Sequence, residues 1–416
     1  MDNLTHSLAG LALGELTHRL LPAEPDAARA GTRRRLLLTC AALASNFPDL
    51  DLVLTPLAPE PLGYLLHHRG HTHTLLYALP QALLLLAALW LLWPAARTLL
   101  RTSPAARAGL FASIALGLLL HFGMDAMNVY GIHPFAPFDA RWFYGDMVFI
   151  VEPVFWVALG TPLAAHVARP WLRRAYLALL LLVPGVFTVF GFLQWGSFAA
   201  LAAIWLLAGW LTRRRGERSA LIAGVAVVLG FVLVQAGSAQ LARERVAAAL
   251  RQGEPDVRIL DTALSAFPAN PLCWTVISVT GSGGDDYRVR RGVLSLAPQR
   301  NPAAACPVKI HGEYVGAEPG GLAWAWEERG SKARLQALRA SDCRVDAWLR
   351  FARTPSLAGG YATDVRYGPH GSHNFSTLPY AAQAQAGMPC PSPVPQWGYP
   401  RADLLDLHQD SGAVKP

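Results

Sequence analysis

The sequence predicts a mainly α-helical polytopic membrane protein, followed by a β-rich C-terminal domain. Of its 416 residues, 53% are hydrophobic and only 15% are charged, whereas soluble globular proteins carry about 25% charged residues. The apolar residues concentrate in blocks such as 75–93, 175–193 and 220–236, each about as long as a bilayer crossing requires. This composition excludes collagen-like, disordered and ordinary soluble proteins.

Hydropathy predicts about eight membrane-spanning helices. The first carries Glu15 and His18 and is preceded by no basic segment, so we expect a retained helix rather than a cleaved signal peptide. The predicted spans are 5–22, 36–57, 75–94, 109–127, 148–168, 175–193, 198–211 and 220–237.

Arginines alternate sharply between the connecting segments. Fourteen lie in segments 23–35, 95–108, 169–174 and 212–219, whereas segments 58–74, 125–147 and 194–197 contain only Arg69 and Arg141. The positive-inside rule places the arginine-rich segments in the cytoplasm, and the C-terminal region outside it. The net charge of +8 is explained by these topology determinants, so we expect a lipid bilayer as partner and no nucleic acid.

The tail changes character from the first part of the chain. We predict two domains, a transmembrane domain over 1–237 and an extracytoplasmic, β-rich domain over 238–416, because the tail is rich in Gly, Pro and Ser and its apolar runs are short. An even number of cysteines fits up to two disulfides in three pairings, or four reduced thiols. Those cysteines are Cys273, Cys306, Cys343 and Cys390, whereas Cys40 lies inside a predicted span.

Ionisable side chains crowd the span ends that the arginine pattern places outside. Asp49 and Asp51 end the second predicted span, and the runs 67–73 and 121–128 flank the third and fourth. Such residues are costly at membrane depth and are therefore functional candidates. Seven of the thirteen histidines fall on this side: His6, His67, His68, His71, His73, His121 and His133.

The spacing of these residues suits a metal site. His121 and Asp125 are four apart on a predicted helix and share one face, and Asp49 and Asp51 follow Pro48, where a helix can break. Mixed imidazole and carboxylate ligands favour zinc first, with manganese or iron as alternatives. The number of candidates allows two ions. The alternatives are a polar clamp between helices, a solvated turn, and a histidine loop that senses pH.

Two further charged residues are catalytic candidates. Arg69 is one of only two arginines in the outer loops, and it either binds a substrate phosphate or carboxylate or pairs with Asp49 or Asp51. Glu152 lies within the fifth predicted span. It is a candidate metal ligand or general base, and the alternative is a buried carboxylate paired with a histidine.

At these motifs the sequence resembles the YdjM family of bacterial inner-membrane proteins, regarded as metal-dependent hydrolases. The resemblance rests on His6 and on the stretches 47–51, 68–73, 121–131 and 146–153. Glu152 stands where the family often has aspartate, and His67 and His71 are extra to the pattern. The resemblance implies a metal-ligand set of His6, Asp49, Asp51, His68, His73, His121 and Asp125.

The combined expectation is a hydrolase of the bacterial inner membrane that holds one or two ions, most favourably zinc, near the outer leaflet. Water activated by the metal would attack a phosphoester or other ester of a lipid or lipid-linked substrate. Asp51 or Glu152 would take the proton, and Arg69 would hold the anionic group. The alternatives are a metal-binding transporter and a non-catalytic membrane sensor or scaffold.

Overall fold

Helices dominate the first 253 residues, and strands begin only after them. The computed structural model describes residues 1–57, 60–281, 283–311, 320–368, 374–380, 389–392 and 394–407. Its α-helices are α1 (Asn3–Leu20), α2 (Ala27–Ala44), α3 (Leu62–His67), α4 (Leu75–Leu92), α5 (Pro94–Thr102), α6 (Pro104–Ala126), α7 (Pro153–Leu163), α8 (Pro170–Val189), α9 (Trp195–Arg215), α10 (Glu217–Gly253), α11 (Val308–His311), α12 (Lys332–Ser341) and α13 (Cys343–Leu349). A 3₁₀ segment covers Phe47–Leu57, and a short one covers His71–His73.

The contacts divide the chain into two units. Unit 1 comprises Met1–Leu50, Leu75–Met127 and Phe149–Val234, and unit 2 comprises Asp51–Thr74, Asn128–Val148 and Gln235–Pro416. Unit 2 thus contains two segments that precede the predicted tail. The predicted division at residue 237 stays a prediction, since these units are not continuous in sequence.

Unit 1 is built around a close pair of helices, α1 and α2. The Asp2 carboxylate accepts a hydrogen bond from the Thr5 amide at 3.0 Å and caps α1. A Cβ at Gly10 would lie only 2.6 Å from the carbonyl oxygen of Ala41, so glycine permits this approach. Leucines of α2, α4, α5 and α6 fill the core beside this pair.

Five helices are long and apolar enough to cross a membrane: α4, α6, α8, α9 and α10. The bent pair Ala27–Ala44 and Phe47–Pro56, with an angle of 43°, would make a sixth. The helices coincide with the third, fourth, sixth, seventh and eighth predicted spans, and the bent pair coincides with the second. The mainly helical membrane character and the C-terminal sheet are thereby confirmed.

The count of eight spans is not reached among the described helices. The fifth predicted span, 148–168, contains only the 11-residue helix α7, about 16 Å long against a hydrocarbon core of about 30 Å. It starts late because Glu152 and Pro153 set its N-terminus. The first predicted span corresponds to the 18-residue α1, which falls outside the set of apolar helices.

Unit 2 contains two antiparallel sheets. The strands are β1 (Arg258–Phe267), β2 (Asn270–Gly281), β3 (Asp286–Ser295), β4 (Leu322–Ser331), β5 (Pro355–Ala358), β6 (Tyr361–Asp364) and β7 (Leu378–Pro379). The first sheet has four strands in the order β1-β2-β3-β4, and the second has three in the order β5-β6-β7. The C-terminal part of α10 packs on the first sheet, with Ala242 and Val246 against Leu264 and Trp274.

The four tail cysteines form two disulfides, Cys273–Cys306 and Cys343–Cys390. Of the three pairings that the sequence left open, the structure has this one. Cys40 is buried and unpaired.

Segment 128–148 is bound into unit 2 by hydrogen bonds to the tail. The indole of Trp142 donates to the Arg350 carbonyl at 3.0 Å, and the guanidinium of Arg366 donates to the Val129 carbonyl at 2.9 Å. Arg353 makes a bidentate ion pair with Asp146 at 2.8 and 2.9 Å. The tail therefore holds the loop that follows α6.

Candidate metal centre

The first candidate ligand group lies within unit 1, at the end of α6. His121 and Asp125 are fully buried one helical turn apart, and His121 Nε2 lies 3.6 Å from Asp125 Oδ2. The same nitrogen lies 3.7 Å from Asp49 Oδ1. Ligand atoms of these three residues lie within 4.8 Å of one another. The structure therefore brings together the helix pair predicted from its spacing and one of the two carboxylates predicted after Pro48.

The orientation of His121 is fixed by a contact of its other ring nitrogen. Its Nδ1 lies 2.8 Å from the carbonyl oxygen of Ser45, at the C-terminal end of α2. Because a carbonyl only accepts, Nδ1 carries the proton in the neutral ring and Nε2 keeps its lone pair. Backbone carbonyls fix metal-binding histidines in this way, through the nitrogen that does not ligate.

His6, from α1, lies beside this group. Its ring stacks on that of His121, with centroids 4.1 Å apart, and its Nε2 lies 3.3 Å from Asp125 Oδ1. The Met1 amino group also contacts Asp125. Next to His6, the Thr5 hydroxyl accepts a 2.8 Å hydrogen bond from the Trp156 indole of α7, which fixes this end of α1.

The second candidate group lies within unit 2, around Asp51. His68 Nδ1 is 3.1 Å from Asp51 Oδ1, and His73 Nδ1 is 3.3 Å from Asp51 Oδ2. The Thr72 hydroxyl and the Arg69 amide donate to the same Oδ2, at 2.6 and 3.0 Å. A carboxylate that holds Nδ1 of an imidazole leaves Nε2 for a metal. Asp51 can thus either orient both histidines through Nδ1 or ligate an ion together with those nitrogens.

Arg69 is buried beside this group in a left-handed conformation, with φ of 58°. Its guanidinium donates to Asn128 Oδ1 at 3.1 Å and to the Gly131 carbonyl at 3.3 Å. It also lies 4.6 Å from the centre of the Tyr130 ring. Arg69 therefore joins the His68–His73 loop to segment 128–131, and its predicted role as an anion clamp stays a prediction.

Glu152 is fully buried at the N-terminus of α7, where its carboxylate accepts a hydrogen bond from the Val154 amide at 3.1 Å. This capping contact is a structural role in addition to the predicted catalytic one. Of the other histidines predicted on the outer side, His71 is exposed and His67 is half-buried. His133 is buried between Trp142 and Trp397, and this burial lowers its pKa to about 3.

The donor set fits a divalent metal. Nitrogen and oxygen ligands at about 2.0–2.2 Å from a tetrahedral ion lie about 3.3–3.6 Å from each other. The separations of 3.6 and 3.7 Å around His121 Nε2 are longer than hydrogen bonds and close to that ligand spacing. A buried Asp/His cluster that could hold a metal ion is therefore present.

Several supporting residues were not predicted from the sequence. The Ser45 carbonyl and the Thr72 hydroxyl orient candidate ligands, yet no residue type marks a carbonyl. Asn128 and Tyr130 lie in a motif noted for its family resemblance, without a predicted role. Asn128 lies three positions after Asp125, a weak sign of function that the helix end at Ala126 makes ambiguous.

The N-terminal part of the chain matches a known protein family. Residues 1–198 match the YdjM inner membrane protein family. This confirms the resemblance inferred from the motifs, over slightly less than half of the chain. All seven predicted ligands lie within the YdjM-matching segment, whereas the four-stranded sheet lies beyond it.

A curated relative supports the same part of the chain. The chain is 25% identical over 191 residues to the uncharacterized protein YfhP of Bacillus subtilis (strain 168), which covers 45% of this chain. The match spans about half of that relative, 53% of its length. The search of solved structures found no significant match.

Proposed function

We propose that this chain is a membrane-embedded metal-dependent hydrolase that acts on a phosphoester or other ester of a lipid or lipid-linked substrate. The observation that carries the proposal is the arrangement of His121, whose Nδ1 is held by a carbonyl while its Nε2 faces two carboxylates. A structural histidine needs only one such partner. A histidine anchored on one side and aimed at carboxylates on the other has the form of a metal ligand.

One ion would be held by His6, Asp49, His121 and Asp125, and a second by Asp51, His68 and His73. The two groups belong to different units, so each ion is proposed within its own unit.

Zinc suits the mixed imidazole and carboxylate donors best, with manganese as the alternative. When bound, such a metal lowers the pKa of water and polarises the bond to be broken. The residues around it orient the ligands, exclude bulk water and move the proton. Asp51 and Glu152 are the proposed proton acceptors, and Arg69 is the proposed anchor for an anionic group.

A lipid substrate and an outer-leaflet site are part of the proposal. The candidate spans supply the bilayer context, and the match to an inner-membrane family supports localisation in the bacterial inner membrane. The arginine pattern supports an extracytoplasmic tail domain.

The first test is metal content. The protein is purified in detergent without chelator, and bound metals are measured by elemental analysis beside a His121→Ala/Asp125→Ala double variant. We expect one or two zinc or manganese ions, with at least one lost in the double variant. His71→Ala is the matched control, since His71 is exposed in the same loop as His68 and His73, and it should keep the full metal content.

Activity is tested next on phosphoester and carboxylic-ester lipids in mixed micelles. We expect turnover that chelator removes and zinc or manganese restores. Glu152→Gln should lower kcat and leave the metal content unchanged if Glu152 is the base. Asp51→Asn also removes a proposed ligand, so it should lower both the metal content and kcat. Full turnover after complete metal removal would contradict the hydrolase proposal. Bound metal without turnover of any ester would favour the transporter or sensor.

A further inference from the structure

The described part of unit 2 contains an aromatic group directly beside His68, made of Tyr64, Tyr130, Tyr367 and Phe375. The ring of His68 lies 4.9 Å from that of Tyr64 and 5.8 Å from that of Tyr130. Phe375 contacts all three tyrosines, at centroid distances of 5.4, 6.4 and 4.4 Å. A candidate metal ligand and the tail domain therefore share one aromatic wall.

This wall contains polar atoms that ordinary packing does not explain. Among the described residues, the hydroxyls of Tyr130 and Tyr367 and the amide nitrogen of Asn128 are buried without a hydrogen-bond partner. Each such group costs free energy unless a ligand or water satisfies it. Phe375 is 44% exposed, and exposed side chains change rotamer rapidly. A ligand of the buried hydroxyls would need Phe375, the exposed member of the group, to rotate away.

The charges around the wall decide which ligand fits. A group of aromatic rings can bind a quaternary ammonium, but here cations already occupy ring faces. The Arg69 guanidinium lies 4.6 Å from the Tyr130 ring centre, and that of Arg366 lies 5.1 Å from the Tyr367 ring centre. A cationic ligand would be repelled. An anionic ester with a neutral, hydroxyl-bearing leaving group is favoured.

We propose that Tyr130, Tyr367 and Phe375 form a subsite for a hydroxylated ring of the sugar type, carried by a phosphoester whose phosphate lies at the Asp51 group. This inference rests on the proposed function, and it assigns the tail domain a part in substrate recognition. The phenol hydroxyls and the Asn128 amide form hydrogen bonds with the hydroxyl groups of the ligand, and Phe375 supplies an apolar face against which its ring stacks.

Three soluble phosphate monoesters test the subsite with the full-length protein in detergent. Glucose 1-phosphate has a ring with hydroxyls, cyclohexyl phosphate has a ring without them, and glycerol 1-phosphate has hydroxyls without a ring. We expect the lowest KM for glucose 1-phosphate. Tyr130→Phe and Tyr367→Phe should each raise that KM about five- to tenfold, the loss of one hydrogen bond, and leave the KM of cyclohexyl phosphate unchanged.

Phe375→Ala should raise the KM of both ring compounds about tenfold, with no change for glycerol 1-phosphate. The matched controls are Tyr380→Phe, whose hydroxyl bonds Arg334, and Phe138→Ala, which is 74% exposed. Both should behave as wild type. Equal KM values for the three esters, or values that the tyrosine variants leave unchanged, would overturn the subsite while the hydrolase proposal stands.

Binding of glucose 1-phosphate, measured by calorimetry, keeps the two proposals separate. If no ester is hydrolysed but glucose 1-phosphate binds more tightly than cyclohexyl phosphate, and the tyrosine variants remove that preference, the subsite stands and the hydrolase fails. If neither ester binds, and neither is hydrolysed, the subsite is refuted.

Discussion

Gly10 lies where α1 and α2 approach most closely, and replacing it tests whether this packing positions the metal centre. A Cβ there would lie 2.6 Å from the Ala41 carbonyl oxygen and 2.8 Å from both Ala42 Cα and Ser45 Oγ. Ordinary contacts begin at about 3.5 Å, so the helices would separate by several tenths of an ångström. The displaced Ser45 is the residue whose carbonyl fixes His121.

Two opposing terms set the magnitude for Gly10→Ala. Overpacking lowers the free energy of unfolding by about 1–3 kcal/mol, whereas replacing a helical glycine by alanine raises it by about 0.5–1 kcal/mol. The net expectation is a loss of about 0.5–2 kcal/mol in the free energy of unfolding. Gly31 of α2 is the matched control, because a Cβ there meets no atom within 4 Å. Gly31→Ala should therefore stabilise by about 0.5–1 kcal/mol.

The assay is thermal unfolding in detergent, followed by elemental analysis of bound metal. We expect melting temperatures that move in opposite directions, downward for Gly10→Ala and upward for Gly31→Ala, and weaker metal retention only for Gly10→Ala. If both variants raise the melting temperature equally, the close approach of α1 and α2 is refuted. If Gly10→Ala melts earlier but keeps its metal as wild type does, the link through Ser45 is refuted.

Three further predictions concern the tail. Arg353 binds the carboxylates of Asp146 and Asp261 at 2.8–3.0 Å, and Arg353→Met removes this partner from both. The free energy of unfolding, measured with denaturant, should fall by about 3–5 kcal/mol. A fall of less than about 1 kcal/mol would contradict the prediction. Replacing Cys273 and Cys306 by serine opens a loop with a sequence separation of 33 and should cost about 3–4 kcal/mol, whereas an unchanged melting temperature would show that the bond is not formed. Burial opposes ionisation of Asp364, but Arg366 outweighs burial and holds the pKa of this carboxyl below its ordinary value. The ionised carboxylate therefore stabilises the fold above about pH 4, and this stabilisation is lost as the pH falls. Asp364→Asn should flatten the acid side of the plot of stability against pH, and an unchanged acid side would refute this.

The part of the site that the sequence predicted best is the part set by local periodicity. His121 and Asp125 share a helix face because α-helical residues four apart always do. The large number of polar groups near span ends also predicted a buried cluster without any knowledge of the fold. The spans 75–94 and 175–193 were predictable because α4 and α8 are apolar along nearly their whole length.

Contacts between distant residues were not predictable in the same way. Arg69 was predicted to bind an anion or to pair with an aspartate, and nothing in the sequence pointed to Asn128, 59 residues away, to which its guanidinium also donates. The three disulfide pairings were equivalent in the sequence, because nothing local distinguishes them. The predicted fifth span, 148–168, is longer than the helix α7 within it, because Glu152 and Pro153 begin that helix at residue 153.

The segment Phe47–Leu57 explains how one short stretch can serve two ligand groups. It is a 3₁₀ helix, in which successive residues are rotated by about 120°. Asp49 and Asp51 are therefore related by a rotation of about 240°, which places them about 120° apart around the axis and on different faces. Asp49 lies with His121 in unit 1, and Asp51 lies with His68 and His73 in unit 2. An α-helix would rotate the same pair by about 200°, also onto different faces, but it would space their Cα atoms more closely along the axis. The 3₁₀ segment therefore gives each carboxylate its own histidines, with a rise of about 2.0 Å per residue instead of the roughly 1.5 Å of an α-helix.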